Sequence, residues 1–167
     1  MTVQASPHIT LRPYQAGDEQ AIGELITTIQ RDEFNVPLSL DDQPDLADIA
    51  GFYGHGTGGF WVAICADQIV GTIALLDITN QQTALRKMFV AKAYRGSAIG
   101  VAKRLLENLI SECRQKNVTE IFLGTTADFL AAHRFYEKNG FKQFSKTDLP
   151  PRFPIMAVDS RFYRLEL

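Results

Sequence analysis

The sequence predicts a single α/β domain. Three observations carry that prediction: helix-like and strand-like periods alternate along the whole chain, three β-rich runs follow one another in its middle, and a strand-helix-strand-helix succession comes after them. The 167 residues match the size of one domain, and 46% of them are apolar, enough to close a core. No repeat, low-complexity block or linker interrupts the pattern, so residues 1–167 read as one unit.

The elements follow in order. Ile9 to Pro13 alternates like a first strand, and Asp18 stands where it can cap a helix whose apolar positions Ile22, Leu25, Ile26 and Ile29 recur at helical spacing until about Phe34. Between Asn35 and Gly59 the chain turns to proline, aspartate and glycine, with one short helical candidate from Leu46 to Tyr53. Phe60 to Ala66 and Ile69 to Asp77 are strands joined by a tight hairpin at Asp67-Gln68, and Thr83 to Val90 supplies another. Ile99 to Lys116 sets Val101, Leu105, Leu106, Leu109, Ile110 and Cys113 on one stripe opposite Lys103, Arg104, Glu107 and Arg114, which predicts a helix packed by one face on the sheet. Val118 to Leu123 reads as a fifth strand, Asp128 to Asn139 as a second amphipathic helix stopped by Gly140, and short strands near Phe141 and Phe162 close the chain.

Charge and cysteine usage narrow the function classes. Seventeen lysines and arginines against nineteen aspartates and glutamates leave a net charge of −2, which gives no global field toward nucleic acid or an acidic membrane surface, so neither partner is expected. Cys65 and Cys113 fall in a strand and a helix without metal-type spacing to a histidine, so they read as buried apolar residues and no metal is expected. The first ten residues lack the basic flank and apolar stretch of a secretion signal, and no apolar run approaches bilayer length. Cytoplasmic residence is therefore expected, with Asn117-Val-Thr119 a chance glycosylation match.

The most informative stretch is MFVAKAYRGSAIGVAKRLLENLI, where a β-rich run stops, two glycines shape a short turn and a long amphipathic helix begins. Helix N-termini carry unpaired N–H groups and a partial positive charge, so Gly96, Ser97, Ala98, Ile99, Gly100 and Val101 offer donors suited to a diphosphate. Arg95 adds either a charge-assisted phosphate contact or an ordinary solvated loop residue, and spacing alone leaves the whole segment equally readable as a plain strand-turn-helix junction.

RGSAIG, with the preceding FV and the following LL, resembles the acyl-CoA pyrophosphate motif of the GNAT superfamily, Q/R-x-x-G-x-G/A. Arg95 and Gly100 match its first and last positions, while Ala98 stands where the family usually has its first glycine. The later segment ADFLAAHRFYEKNGF resembles the superfamily's A-x-x-F-Y-x-K-x-G-F helix through Ala132, Phe135, Tyr136, Lys138, Gly140 and Phe141. The two motifs come in the family's order, and the resemblance spans about Phe60 to Phe144. It implies a mixed, mostly antiparallel sheet of about six or seven strands with helices on both faces, splayed between the fourth and fifth strands. It also implies acetyl-CoA as co-substrate and an amine acceptor, metabolite or protein.

The resemblance further assigns roles. Met88, Phe89 and Val90 precede the loop on the strand whose backbone pairs with the pantetheine arm in the family, and Ala132 and Phe135 of the later motif are implied as further cofactor-binding residues. Tyr136 is implied as the acid that protonates the departing thiolate; without the motif its place on the stripe of Phe129, Ala132 and Phe135 reads as core packing. His133, three residues earlier, reads as structural or half exposed. Glu33 is the candidate base for the acceptor ammonium, with Asp32 beside it, against the plainer reading of solvated carboxylates. The acidic run Asp41, Asp42, Asp45 and Asp48 either steers a basic acceptor or solubilises a loop.

Gly54 to Gly59 formally matches G-x-G-x-x-G but leads into a strand instead of a helix, so it is expected to be a flexible loop near the acceptor opening. Leu149 to Asp159 either folds over the acceptor side or forms a homodimer contact. The rival to catalysis is a silent acyl-CoA-binding regulatory module of the same fold.

Overall fold

In the computed structural model, which describes residues 7–35, 38–127 and 129–167, seven strands form one sheet in the order β1-β2-β3-β4-β5-β7-β6. The strands are β1 (Thr10–Pro13), β2 (Gly59–Cys65), β3 (Gln68–Asp77), β4 (Gln82–Val90), β5 (Glu120–Thr125), β6 (Lys142–Phe144) and β7 (Arg161–Glu166). Every neighbouring pair is antiparallel except β4 and β5. The expected mixed, mostly antiparallel sheet is therefore present. The helices are α1 (Glu19–Phe34), α2 (Pro44–Ala47), α3 (Ile49–Tyr53), α4 (Val101–Gln115) and α5 (Leu130–Lys138). The helix start expected at Asp128 lies outside the described residues, as do Met1 to Ser6 of the N-terminal reading.

Local chemistry sets the turns. The β2–β3 hairpin turns on Ala66 and Asp67, at φ +49° and +63°, one residue earlier than expected; two left-handed residues match the strands' right-handed twist. At the β3–β4 turn the Asp77 carboxylate accepts from the Thr79 amide at 2.7 Å, and the Ile78 amide bonds the Gln82 carbonyl at 3.1 Å. Asn35 ends α1 in the left-handed conformation and returns its N–H to the Gln30 carbonyl.

The two faces are covered by different helices. Leu105, Leu106, Leu109 and Cys113 of α4 have no solvent exposure, and they join Tyr136 and Phe141 against one face. Each such leucine contributes about 2 kcal/mol of burial. On the other face Ile22 and Ile26 of α1, with Leu46, Ile49 and Tyr53 of α2 and α3, cover Phe60, Val62 and Ala74. Further along that face, Phe153 from the segment before β7 closes over Phe122 and Phe162. Leu149 to Asp159 thus folds back onto its own sheet.

Beneath α1–α3 lies a buried polar cluster. Gln30 and Gln43 exchange amide hydrogen bonds at 3.1 and 2.9 Å, Lys87 Nζ donates to Gln43 Oε1 at 2.5 Å, and Tyr53 donates to Asp45 at 2.6 Å. Asp45 lies 3.7 Å from the Lys87 ammonium, with both side chains more than nine-tenths buried. This corrects the steering idea for Asp45, which is buried. Asp45 neutralises a buried lysine, Asp42 closes a capping box with Ser39, and Asp48 caps α3 through the Gly51 amide.

Removing the Asp45 carboxylate strands a buried ammonium and a buried phenol. Asp45→Ala is therefore expected to lower the unfolding free energy by about 3 kcal/mol in urea titrations near pH 6. Burial first of all holds Lys87 down at about 8, below its ordinary 10.5, with Asp45 opposing. Folding thus expels a proton between these values, and stability on this account rises over that window. The deficit of Asp45→Ala should shrink as pH rises through 8 and Lys87 loses its charge; a deficit independent of pH would contradict the pairing.

Candidate active site

The site begins where β4 and β5 part. They pair only from Gln82 with Glu120 to Ala84 with Phe122. From Leu85 onward, the edge of β4 that faces β5 has no strand partner. A cavity of about 430 Å³ fills the gap, lined by Leu85 to Phe89 of β4, Leu123 and Thr125 of β5, Phe34 of α1, and Phe129 to Ala132 with Tyr136 around α5. The splay between the fourth and fifth strands is where the resemblance implied it.

β4 carries an irregularity at this point. Thr72 pairs with Phe89 and Ala74 with Arg86, so Lys87 and Met88 together oppose Ile73. Lys87 takes φ +52°, and Thr72 Oγ1 donates to its carbonyl at 2.7 Å. The extra residue puts Arg86 and Lys87 on the same side and turns Met88 toward α5.

Beyond Val90 the chain makes a 3-10 turn over Lys92–Tyr94 and enters α4 through the glycine loop. Gly96 and Gly100 adopt φ +106° and +73°, and a Cβ at Gly96 would meet nothing within 4 Å, so the first glycine serves backbone curvature and open access. The Gly100 amide bonds the Gly96 carbonyl, whereas the N–H groups of Gly96 to Ile99 and Val101 to Lys103 have no acceptor among the described residues. Those unbonded donors at a helix N-terminus suit an anionic diphosphate. Ala98 is exposed, and Val101 offers only its backbone because its side chain is buried in the core with Leu105.

Arg95 and Glu33, predicted for different ends of the reaction, meet each other. The guanidinium forms a two-point ion pair with the Glu33 carboxylate, one bond at 2.8 Å, and Nε donates to the Val90 carbonyl at 2.8 Å. The hydrogen bond from the Arg95 guanidinium holds the Glu33 carboxyl below the usual carboxylate range, and Glu33 does not line the cavity. This arrangement suits a brace between α1 and the loop better than proton abstraction. Asp32 pairs with exposed Arg31.

On α5 the predicted residues divide. Ala132 and Tyr136 line the cavity, while Phe135 packs against the Tyr136 ring at 5.7 Å. The Tyr136 hydroxyl donates to the Met88 thioether at 3.9 Å, and burial pushes its pKa up. His133 is buried. Its Nε2 lies 2.8 Å from the Thr126 carbonyl, which only accepts, and its Nδ1 lies 3.0 Å from Arg161 Nη1, which only donates. The ring is therefore neutral with its proton on Nε2, a positioning role.

Several lining residues were not anticipated: Phe34, Arg86, Lys87, Leu123, Thr125 and Leu130. Phe34 and Phe129 stack with ring centroids 4.0 Å apart, joining the end of α1 to the approach to α5. The Gly54 to Gly59 loop contributes no residue to the cavity lining. Its Thr57 amide is taken by Asp77 at the end of β3, and its Gly58 carbonyl lies beside Lys116 at the far end of α4.

The acetyltransferase (GNAT) family model matches residues 24–141, most of the chain. The chain belongs to this family. It is 39% identical over 106 residues to an N-acetylaspartate synthetase of Danio rerio, covering 62% of this chain and 37% of that relative. The chain spans less than half the length of the curated relatives it matches. A GNAT-family acetyltransferase of Staphylococcus aureus Mu50 superimposes with TM-score 0.90 at 40% identity, covering 95% and 99% of the two chains. The PaiA N-acetyltransferase of Thermoplasma acidophilum in complex with coenzyme A shares the fold at TM-score 0.74 and 15% identity, covering 96% and 99%. Among the described residues no helix is long and apolar enough to cross a membrane, and no cluster of three or more metal-ligating side chains occurs.

For this GNAT loop the sharpest test is Gly100→Glu, which places a side chain at a left-handed position and a negative charge among the unbonded loop amides. Calorimetry is expected to register no acetyl-CoA binding while circular dichroism retains the native spectrum. Retained affinity would remove the loop from the binding site.

Proposed function

We propose that this chain is an N-acetyltransferase that moves the acetyl group of acetyl-CoA to a primary amine by direct attack within a ternary complex. The observation that carries this reading is continuity: the unbonded amides of the glycine loop adjoin the unpaired edge of β4, and that edge borders the cavity holding the Tyr136 hydroxyl. The printed names of the relatives, N-acetylaspartate synthetase among them, support an amine acceptor.

Each residue then has a physical task. The loop amides bind the diphosphate, and the edge of β4 at Met88 to Val90 holds the pantetheine arm by backbone bonds and offers N–H to the carbonyl oxygen as negative charge develops on it. Tyr136, its pKa raised by burial, is protonated at neutral pH; it donates its proton to the departing thiolate and regains the one that the acylated amine nitrogen loses. In the free protein that proton points at the Met88 sulfur, a weak acceptor that a thiolate readily replaces.

Direct attack suits this lining. No cysteine or serine faces the cavity among the described residues, and the Thr125 hydroxyl has no basic side chain bonded to it. The Lys87 amine, which also lines the cavity, is engaged by Gln43 and Asp45, so the lining offers the acetyl group no free nucleophile on which to rest.

Incubation with acetyl-CoA and a broad amine panel should release free thiol and the matching acetylated amine, read by mass spectrometry. Acetyl-CoA binding with no turnover of any amine would favour the silent regulatory module. Tyr136→Phe is expected to slow single-turnover transfer by about 100-fold while leaving acetyl-CoA affinity near wild type. An unaltered single-turnover rate would remove the acid role.

A further inference from the structure

The charge of the cavity is one-sided. Two cations, Arg86 and Lys87, line it, and no carboxylate does among the described residues. The β4 irregularity makes them neighbours, yet their surroundings differ. Lys87 is answered within the protein by Asp45 at 3.7 Å and Gln43 at 2.5 Å.

Arg86 has no such answer. Its guanidinium lies over the Phe52 ring at 5.6 Å and donates to the Met156 thioether at 3.6 Å, and no carboxylate forms an ion pair with it among the described residues. Asp159, the acid whose field it shares, instead accepts from the Met156 amide at 3.0 Å, and burial pushes its pKa up. A ring and a thioether fix the plane of the fork without neutralising it, leaving most of its five donors for a ligand. A half-buried guanidinium in that condition fits a carboxylate through two parallel bonds.

We propose that Arg86 is the acceptor-binding residue of this site and that the acceptor is a small amine carrying a carboxylate. The proposal rests on the acetyl-transfer reading and adds the acceptor's chemical class. A polyamine or a lysine side chain would bring a further positive charge into a lining that already holds two. A zwitterion brings the missing anion, while the neighbouring cations favour the neutral, nucleophilic form of its amine. The cavity of about 430 Å³ is of the size that encloses small molecules.

The test compares amino acids with their decarboxylated amines, phenylalanine with phenethylamine for example, and adds aspartate, glutamate, spermidine and a peptide with a blocked C-terminus. Carboxylate-bearing amines are expected to lead the others in kcat/KM by about 10-fold or more. Arg86→Met should raise KM for the preferred acceptor about 10- to 100-fold with a smaller change in kcat and intact acetyl-CoA affinity, and Arg86→Lys should recover part of the loss. Equal turnover of the decarboxylated partner or of the peptide, or an unchanged KM in Arg86→Met, overturns the proposal. Calorimetric titration of the amino acids into CoA-saturated wild type and Arg86→Met needs no turnover and separates the two readings. Binding lost in the variant without any acetylation leaves Arg86 standing and transfer refuted; acetylation indifferent to Arg86→Met does the reverse; no binding to wild type refutes the acceptor site.

Discussion

Everything at the site depends on β4 and β5 losing contact after three paired residues. A parallel pair normally continues as far as its strands allow, because an unpaired buried N–H or carbonyl is costly. Here the pairing stops while β4 has six residues still to run and β5 three. The resulting wedge exposes backbone groups in an otherwise sealed sheet. α4 and α5 stay on one face because their apolar stripes pack there, and the short helices α2 and α3 cover the other. The wedge is held open by the two helical layers, with β7 completing its far wall through six antiparallel pairs with β5.

The electrostatics follow from the same wedge. Apolar side chains make most of its lining, so each polar group within it is strengthened by low dielectric and must be satisfied or functional. Lys87 is satisfied by a cluster built from α1, α2 and α3, and that cluster fixes where those elements sit above β4. Tyr136 stays protonated because burial raises the pKa of its phenol.

Local signals made much of this legible in the sequence. The stripe from Val101 to Cys113 and the glycines at 96 and 100 specify a helix and its entry through short-range spacing alone, and the Tyr136 segment stands on a comparable pattern. What escaped depends on contacts distant in the chain. The Arg95–Glu33 pair joins residues 62 positions apart, and neither side chain announces its partner. Asp45 looked like one of four solvated acids because its burial is decided by a lysine 42 residues later. Arg86 was hidden by β4 itself: strict alternation would place Arg86 and Lys87 on opposite faces, and one extra residue against Ile73 cancels that rule. The Gly54 to Gly59 segment leads into β2 and not into a helix, and its anchoring to Asp77 and Lys116 follows from strand direction, which composition does not encode.

The ion pair between the last turn of α1 and the glycine loop ties together two parts that lie 62 residues apart in the chain. Arg95 is bonded at once to Glu33 on the helix and to the Val90 carbonyl at the end of β4. Three pieces of backbone thus meet in one guanidinium. Phe34, on that same last turn of α1, packs its ring against Phe129 at the cavity. The loop and the aromatic wall of the cavity are thus fixed to one another through a single side chain, so that loss of the Arg95 guanidinium would release both at once.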